Sequence, residues 1–183
     1  MQLLHSATRN YSWGSRTLIP HLQGQPDADK PVAELWFGAH PGDPSTVDDR
    51  LLNEVIAEDP AGQLGSRVSA EYGERLPFLL KVLAAEEPLS LQAHPSKAQA
   101  EEGFARENAA GIELTASNRN YKDDNHKPEL IVALTDFYAM AGFRPLARTR
   151  ELFAALECPE LDHYVAMLDD DPSATTESAN LRV

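Results

Sequence analysis

The chain has 183 residues, of which 42% are hydrophobic, and this length suits one domain or slightly more than one. Its 16 Lys and Arg against 29 Asp and Glu give a net charge of -13, which would repel the phosphates of nucleic acid and an anionic membrane face. We therefore expect neither as a partner, and the single Cys158 with no signal-like N-terminus indicates a cytoplasmic protein.

The first 80 residues predict short strands followed by one helix. Gly and Pro recur through the first 50 residues and separate short stretches such as VAELWFGAH (32–40), which is typical of strands joined by turns. A helical apolar pattern comes next and is ended by breakers. Its apolar residues are Leu51, Leu52, Val55 and Ile56, and its breakers are Asp59, Pro60 and Gly62.

The middle of the chain predicts a hairpin-like pair of strands and then a helix. Residues 76–95 (LPFLLKVLAAEEPLSLQAHP) are rich in Leu and Val and are split by EEP, which favours two strands. After Pro95, Ser96 and Gln99 have the spacing of a capping box, and Gly103 is predicted to mark the far end of a short helix.

The last third predicts a loop, two strands and a second helical region. Residues 118–128 are polar, and an apolar stretch starting at Glu129 predicts two strands with a turn near residues 135–136. Good helix formers follow Pro145, with Leu152, Phe153 and Leu156 on one face. The acidic, small-residue-rich tail from about residue 170 is predicted to be disordered.

Three polar side chains share one face of the predicted strand at residues 89–94. In a strand, Ser90, Gln92 and His94 would point to the same side. That side is either a solvent-facing surface or the inside of a barrel, where His94 and Gln92 could hold a metal.

Other candidate residues carry similar alternatives. Lys127 and Glu129 are either a surface ion pair or a metal ligand beside a group that holds an anionic substrate or moves a proton. Glu34 lies in an apolar stretch and needs a partner or a function, while Lys81 is either an edge gatekeeper or a cavity residue. By default, Trp13 and Trp36 are core or wall residues.

Four segments together resemble type I phosphomannose isomerases. They are NYSWGS (10–15), AELWFGAHP (33–41), LPFLLKVLAAEEPLSLQAHPSK (76–97) and NYKDDNHKPELIVALTDFYAMAGFRP (120–145). The resemblance implies a zinc-dependent interconversion of mannose 6-phosphate and fructose 6-phosphate. It also implies a mainly β fold, namely an incomplete cupin-type jelly roll over residues 1–145 with the start of an attached α-helical domain at 146–183.

The resemblance also assigns the site residues. It implies Gln92, His94 and Glu129 as ligands of one Zn²⁺. It implies that Lys127, with Glu34 as second choice, assists proton transfer, and that the substrate-binding residues are Trp13, Lys81 and Ser90.

The resemblance places one His ligand and a phosphate-binding Arg of the family beyond Val183. We therefore expect an N-terminal portion of the enzyme, with metal binding weaker than in a complete enzyme and with self-association through unpaired strand edges. Two alternatives stay open: a non-catalytic cupin-like module or inactive fragment that binds metal or sugar, and a structural interaction domain that binds no metal.

Overall fold

The computed structural model describes residues 2–142 and 144–168. The tail predicted to be disordered, and the part of the second predicted strand at Phe143, lie outside the described residues. Two compact units are distinguished, one reaching Gln92 and one starting at Ala93.

The first unit contains two three-stranded antiparallel sheets, one in the order β1-β4-β5 and one in the order β2-β3-β6. The strands are β1 (Leu4–His5), β2 (Ala7–Arg9), β3 (Glu34–Phe37), β4 (Thr46–Val47), β5 (Arg50–Leu51) and β6 (Leu80–Leu83). The short strands predicted for the first 50 residues, and the first strand of the predicted hairpin, are confirmed.

The sheet β2-β3-β6 has one apolar face and one polar face. Leu35, which pairs with Val82, packs in a core with Ile19 and Ala84. Because side chains alternate along a strand, the residues on either side of Leu35 belong to the opposite face. That face carries Arg9, Glu34, Trp36 and Lys81, with Arg9 opposite Glu34 and Trp36 opposite Lys81.

Gly14 allows the NYSWGS segment to approach this sheet closely. A side chain at position 14 would place its Cβ 2.5 Å from Cα of Ala33, so only glycine fits. Ser15 then donates its N–H to Ala84 at 2.9 Å and accepts the N–H of Val32 at 2.9 Å. The segment is thereby tied to the residues next to β3 and β6.

Three helices complete the first unit: α1 (Leu18–Leu22), α2 (Leu52–Glu58) and α3 (Pro60–Tyr72). The predicted helix α2 is confirmed, whereas α3 was not predicted from the sequence. Pro60 starts the new helix at a first-turn position, and Asp59 caps it by accepting the N–H of Gly62 at 3.0 Å. Asp59 and Pro60, which were interpreted as the end of the predicted helix, therefore also begin α3.

The second unit opens with α4 (Lys97–Ala109), whose capping box is confirmed. Ser96 accepts from the N–H of Gln99, and the Gln99 side chain accepts from the N–H of Ser96 at 2.9 Å. The predicted end at Gly103 is wrong, because the helix continues for six more residues. Gly103 is buried, and a Cβ there would lie 2.5 Å from the Tyr121 ring, so this glycine serves close packing instead of termination.

A buried ion pair joins α4 to the segment that follows it. Arg119 Nε lies 3.1 Å from Glu107 Oε2, with side-chain exposures of 0% and 8%. Arg119 also donates to the carbonyl of Ile112 at 2.7 Å and to Asn108 Oδ1 at 2.8 Å. These bonds satisfy the charges that burial would otherwise penalise.

The surroundings of Glu107 lower the pKa of its carboxyl group. The N–H of Tyr121 donates to it at 2.9 Å, and this bond, with the amides of Asn120 and the charge of Arg119, outweighs desolvation and lowers the pKa of Glu107 below its ordinary value of 4.5. A lowered carboxyl pKa contributes stability that is present above the unfolded value and is lost as the pH falls through the folded value.

We therefore expect acidification below about pH 4.5 to remove this contribution, and Glu107→Gln to flatten the acid side of the stability profile. Urea unfolding measured from pH 3 to 7 would test this expectation. Glu102→Gln, an exposed substitution on the same helix, is the control. The expectation fails if Glu107→Gln and wild type lose stability in parallel on acidification.

Two predicted strand regions are not strands in the described residues. Residues 89–94, and 129–142 after the polar loop, have no regular secondary structure. The apolar stretch 130–140 is instead largely exposed, with Leu130 at 84% and Tyr138 at 96%. Strand propensity is satisfied only by a hydrogen-bonding neighbour, and the described residues do not provide one here.

The end of the described chain is helical, with α5 (Leu146–Leu156), a 3-10 turn (Pro159–Leu161) and α6 (Asp162–Val165). The predicted helix after Pro145 is confirmed. Helical residues outnumber strand residues in the described ranges, so the mainly β expectation is not met there. Within those ranges no helix combines the length and apolarity required to cross a membrane.

Candidate functional site

The polar face of the sheet β2-β3-β6 holds a buried carboxylate between two partners. The Glu34 side chain is 7% exposed, its Oε1 lies 3.3 Å from Lys81 Nζ, and its Oε2 accepts the Trp36 Nε1–H at 2.8 Å. Glu34 therefore has the partner that a buried carboxylate requires. Lys81 lies on the edge strand of the sheet, yet its ammonium is directed at Glu34.

Trp36 is also flanked by cations. The Lys81 ammonium lies 4.6 Å from the centroid of its ring, and the Arg9 guanidinium lies 4.9 Å from it. Arg9 is itself paired with Asp43 at 2.6 Å. Its pKa is raised above the ordinary value, first by this hydrogen bond and then by the one with Tyr11. The arrangement places two positive charges against one aromatic ring.

The remaining candidates of the first unit are less constrained. Trp13 is half-buried, stacks on Tyr11 with ring centroids 5.5 Å apart, and accepts the N–H of Glu86 on its carbonyl at 2.8 Å. Ser90 and Gln92 are exposed and lie in a segment without regular structure. Their predicted alternation on a strand is therefore wrong for the described structure.

In the second unit, three predicted residues come together. His94 Nε2 lies 3.2 Å from Glu129 Oε2, and Lys127 Nζ lies 3.4 Å from Glu129 Oε1. Partial burial by itself raises the pKa of Glu129, but the hydrogen bond with His94 and the charge of Lys127 outweigh it, so the pKa lies below its ordinary value. The carboxylate is thus held in the charged form that a metal ligand requires.

The His94–Glu129 geometry is compatible with a zinc ion. Zinc bonds of about 2.0–2.1 Å in a tetrahedral arrangement separate two ligand atoms by about 3.3 Å. The observed 3.2 Å is close to that separation, and imidazole nitrogen and carboxylate oxygen are both zinc ligands. In the part of the chain that is described, no group of three or more His, Cys, Asp or Glu residues is arranged to hold a metal. The third predicted ligand, the amide of Gln92, is implied by the family resemblance alone.

The loop that precedes Glu129 is anchored to the start of α4. Lys97 Nζ donates to the Asp124 carbonyl at 2.8 Å and to Asn125 Oδ1 at 3.2 Å. Ser96, one residue earlier, is the N-cap of the same helix. The helix start therefore positions both the segment of His94 and the loop leading to Lys127.

A cleft of about 580 Å³ lies beside His94 in the second unit. Its lining includes Gln99, Arg106, Asn120 and Tyr121, none of which was predicted as a site residue. Asn120 and Tyr121 reach it because their amides bind Glu107, 13 and 14 residues earlier. The motif NYKDDN was the only sequence signal available for them.

A family model described as phosphomannose isomerase type I, catalytic domain, matches residues 1–146. The chain belongs to this family. This membership was expected from the order of the four sequence segments.

Individual relatives carry the name mannose-6-phosphate isomerase. The protein of Escherichia coli K12 is 46% identical over 177 residues, which cover 92% of this chain and 45% of the relative. The human protein is 41% identical over 157 residues, which cover 78% of this chain and 34% of the relative. The chain therefore spans less than half the length of these curated relatives.

Solved structures agree with these matches. A mannose 6-phosphate isomerase from Salmonella typhimurium bound to its substrate fructose 6-phosphate and to zinc is 43% identical, with a TM-score of 0.80 over 91% of this chain and 44% of that one. A second isomerase structure, bound with zinc and yttrium, is 44% identical with a TM-score of 0.80 and the same coverage.

Proposed function

We propose that this chain is a portion of a zinc-dependent isomerase that interconverts mannose 6-phosphate and fructose 6-phosphate. The contact between His94 and Glu129, at the spacing of two zinc ligands, is the observation that carries the proposal. The name of the Salmonella typhimurium relative, with its bound zinc and fructose 6-phosphate, supports it.

The proposed zinc ligands are Gln92, His94 and Glu129. When bound, zinc would act as a Lewis acid that stabilises negative charge developing on a substrate oxygen. The imidazole nitrogen of His94 and the carboxylate oxygen of Glu129 are donors of the kind that zinc takes, and the amide oxygen of Gln92 is proposed to complete the protein ligands of this chain.

The proposed proton carrier is Lys127, with Glu34 as second choice. Interconversion of an aldose and a ketose moves a proton between C1 and C2, so a side chain must accept and return it. Lys127 qualifies because its nitrogen lies 3.4 Å from a proposed ligand, and it would accept the proton as the neutral amine and return it as the ammonium. Glu34 qualifies because it is a buried carboxylate, which can accept a proton directly. Trp13, Lys81 and Ser90 are proposed to bind the sugar phosphate.

The proposed architecture is an incomplete cupin-type jelly roll over residues 1–145, followed by the start of a helical domain at 146–183. The match of the catalytic-domain model to residues 1–146 supports the first boundary. A cytoplasmic location is part of the same proposal, because a net charge of -13 suits a protein that avoids membranes and nucleic acid.

A second candidate is a non-catalytic module that binds metal or sugar and associates with another chain. The exposed apolar stretch 130–140 and the exposed Phe78 and Leu80 at the edge strand β6 favour it. Apolar surface of this kind promotes self-association through unpaired edges.

A coupled assay for conversion of mannose 6-phosphate to fructose 6-phosphate decides between the two functions. Turnover by the zinc-loaded chain that a chelator stops would support catalysis by this chain. A folded, zinc-loaded chain that binds fructose 6-phosphate without turnover would overturn catalysis by this chain and favour the binding module.

A further inference from the structure

Glu34 and Lys81 share a third residue, Trp36, to which the sequence and the proposed function assign no chemical role. The indole edge and the indole face have different partners: Nε1–H donates to Glu34 Oε2 at 2.8 Å, and the face meets the Lys81 ammonium at 4.6 Å. Trp36 is 9% exposed, so it is packed in one position.

The strand geometry explains why one side chain reaches both groups. Glu34 and Trp36 are two residues apart on β3 and therefore share a face. Lys81 is the cross-strand partner of Trp36 on β6, where side chains on the same face are in contact. Lys81 is diagonal to Glu34 instead of directly opposite it, because the Cα partner of Glu34 is Leu83.

The two oxygens of Glu34 are divided between these neighbours. Oε1 faces the Lys81 ammonium at 3.3 Å, which is long for a charge-assisted hydrogen bond, while Oε2 is held by the indole at 2.8 Å. The indole hydrogen bond thus fixes the plane of the carboxylate and keeps it from turning both oxygens to the ammonium.

Arg9 is a second cation close to the Trp36 ring. Its guanidinium lies 4.9 Å from the ring of Trp36, and its charge is paired with Asp43 at 2.6 Å. The ring therefore has two cations close to it, the paired Arg9 and Lys81, and both contacts favour its observed position.

We propose that Trp36 is a positioning residue that holds Glu34 through its N–H and Lys81 through its ring. The inference rests on the proposed function, since it assigns to Trp36 the orientation of two residues of that same site. Loss of the N–H alone would release Glu34, and loss of the whole ring would release Lys81 as well.

Two variants separate these contributions. Trp36→Phe keeps an aromatic face and removes the N–H, so we expect kcat to fall by up to about 100-fold with little change in KM, as for a misplaced reacting group. Trp36→Leu also removes the face, so KM for mannose 6-phosphate should rise in addition. The inference is overturned if kcat of Trp36→Phe is unchanged. It is also overturned if the fall in kcat is fully explained by a smaller fraction of folded protein.

A spectroscopic measurement does not depend on turnover. The chain has two tryptophans, so an amide correlation spectrum contains two indole N–H signals, with Trp13 as the internal reference. In Glu34→Gln the acceptor loses its charge, and we expect the Trp36 signal to move upfield while that of Trp13 stays in place. An unmoved Trp36 signal overturns the inference even if the enzyme is active.

The same spectrum separates this inference from the proposed function. A wild-type chain without turnover, but with a Trp36 signal that responds to Glu34→Gln, contradicts catalysis by this chain and supports the positioning role. A chain with turnover but with a Trp36 signal that does not respond supports catalysis by this chain and contradicts the positioning role.

Discussion

Glu129→Ala is expected to weaken zinc binding more than about 100-fold and to abolish isomerase turnover, because losing a direct ligand costs more than losing its supporting partners. The Glu129 carboxylate meets His94 through one oxygen and Lys127 through the other, so its removal leaves both groups without their shared partner. Competition with a zinc indicator measures the zinc affinity, and a coupled isomerase assay measures turnover.

Two further variants make that experiment specific. Glu113→Ala removes an exposed carboxylate of the same unit and should leave zinc affinity unchanged. Lys127→Ala should retain zinc and lose turnover if Lys127 carries the proton. Zinc binding by Glu129→Ala as tight as that of wild type would rule out Glu129 as a ligand.

Arg119→Met is expected to lower the melting temperature by roughly 10 °C, the scale expected when one partner of a buried ion pair is removed. The side chain of Arg119 has no solvent exposure and binds Glu107, Asn108 and the carbonyl of Ile112. Methionine fills a similar volume, so the loss would come from unpaired polar groups instead of from a cavity.

Thermal unfolding followed by circular dichroism measures this loss. Arg106→Met on α4, the helix that Arg119 is paired with through Glu107, is the control, because Arg106 is mostly exposed and its ion pair with Glu102 is long, at 3.8 Å. Equal melting temperatures for Arg119→Met and Arg106→Met would contradict the structural role of the buried pair.

Local signals in the sequence predicted several elements and one of the site contacts. The Ser96–Gln99 spacing placed the start of α4, and the apolar run around Lys81 indicated strand β6. Lys127 and Glu129 were considered as a pair, and they are 3.4 Å apart. These features depend on neighbours within a few residues, which a single sequence displays directly.

Features set by distant contacts were not predictable in this way. Gly103 resembles a helix stop until Tyr121, 18 residues later, is known to pack on it. The contact between the Trp36 ring and Lys81 cannot be read from either segment alone, because only the strand register places the two residues opposite each other. The stretch 130–140 has strand composition, but the described chain lacks the hydrogen-bonding neighbour that a strand needs.

The ion-pair network of the second unit also bears on the order of folding. Glu107 and Tyr121 are joined across 14 positions of the chain, whereas Lys81 and Glu34 meet across 47. A short loop closes at lower entropic cost than a long one, and local contacts form faster than distant ones. The turn from α4 to Tyr121 can therefore form before the strands of the first unit pair in register, although the ribosome synthesises this turn later.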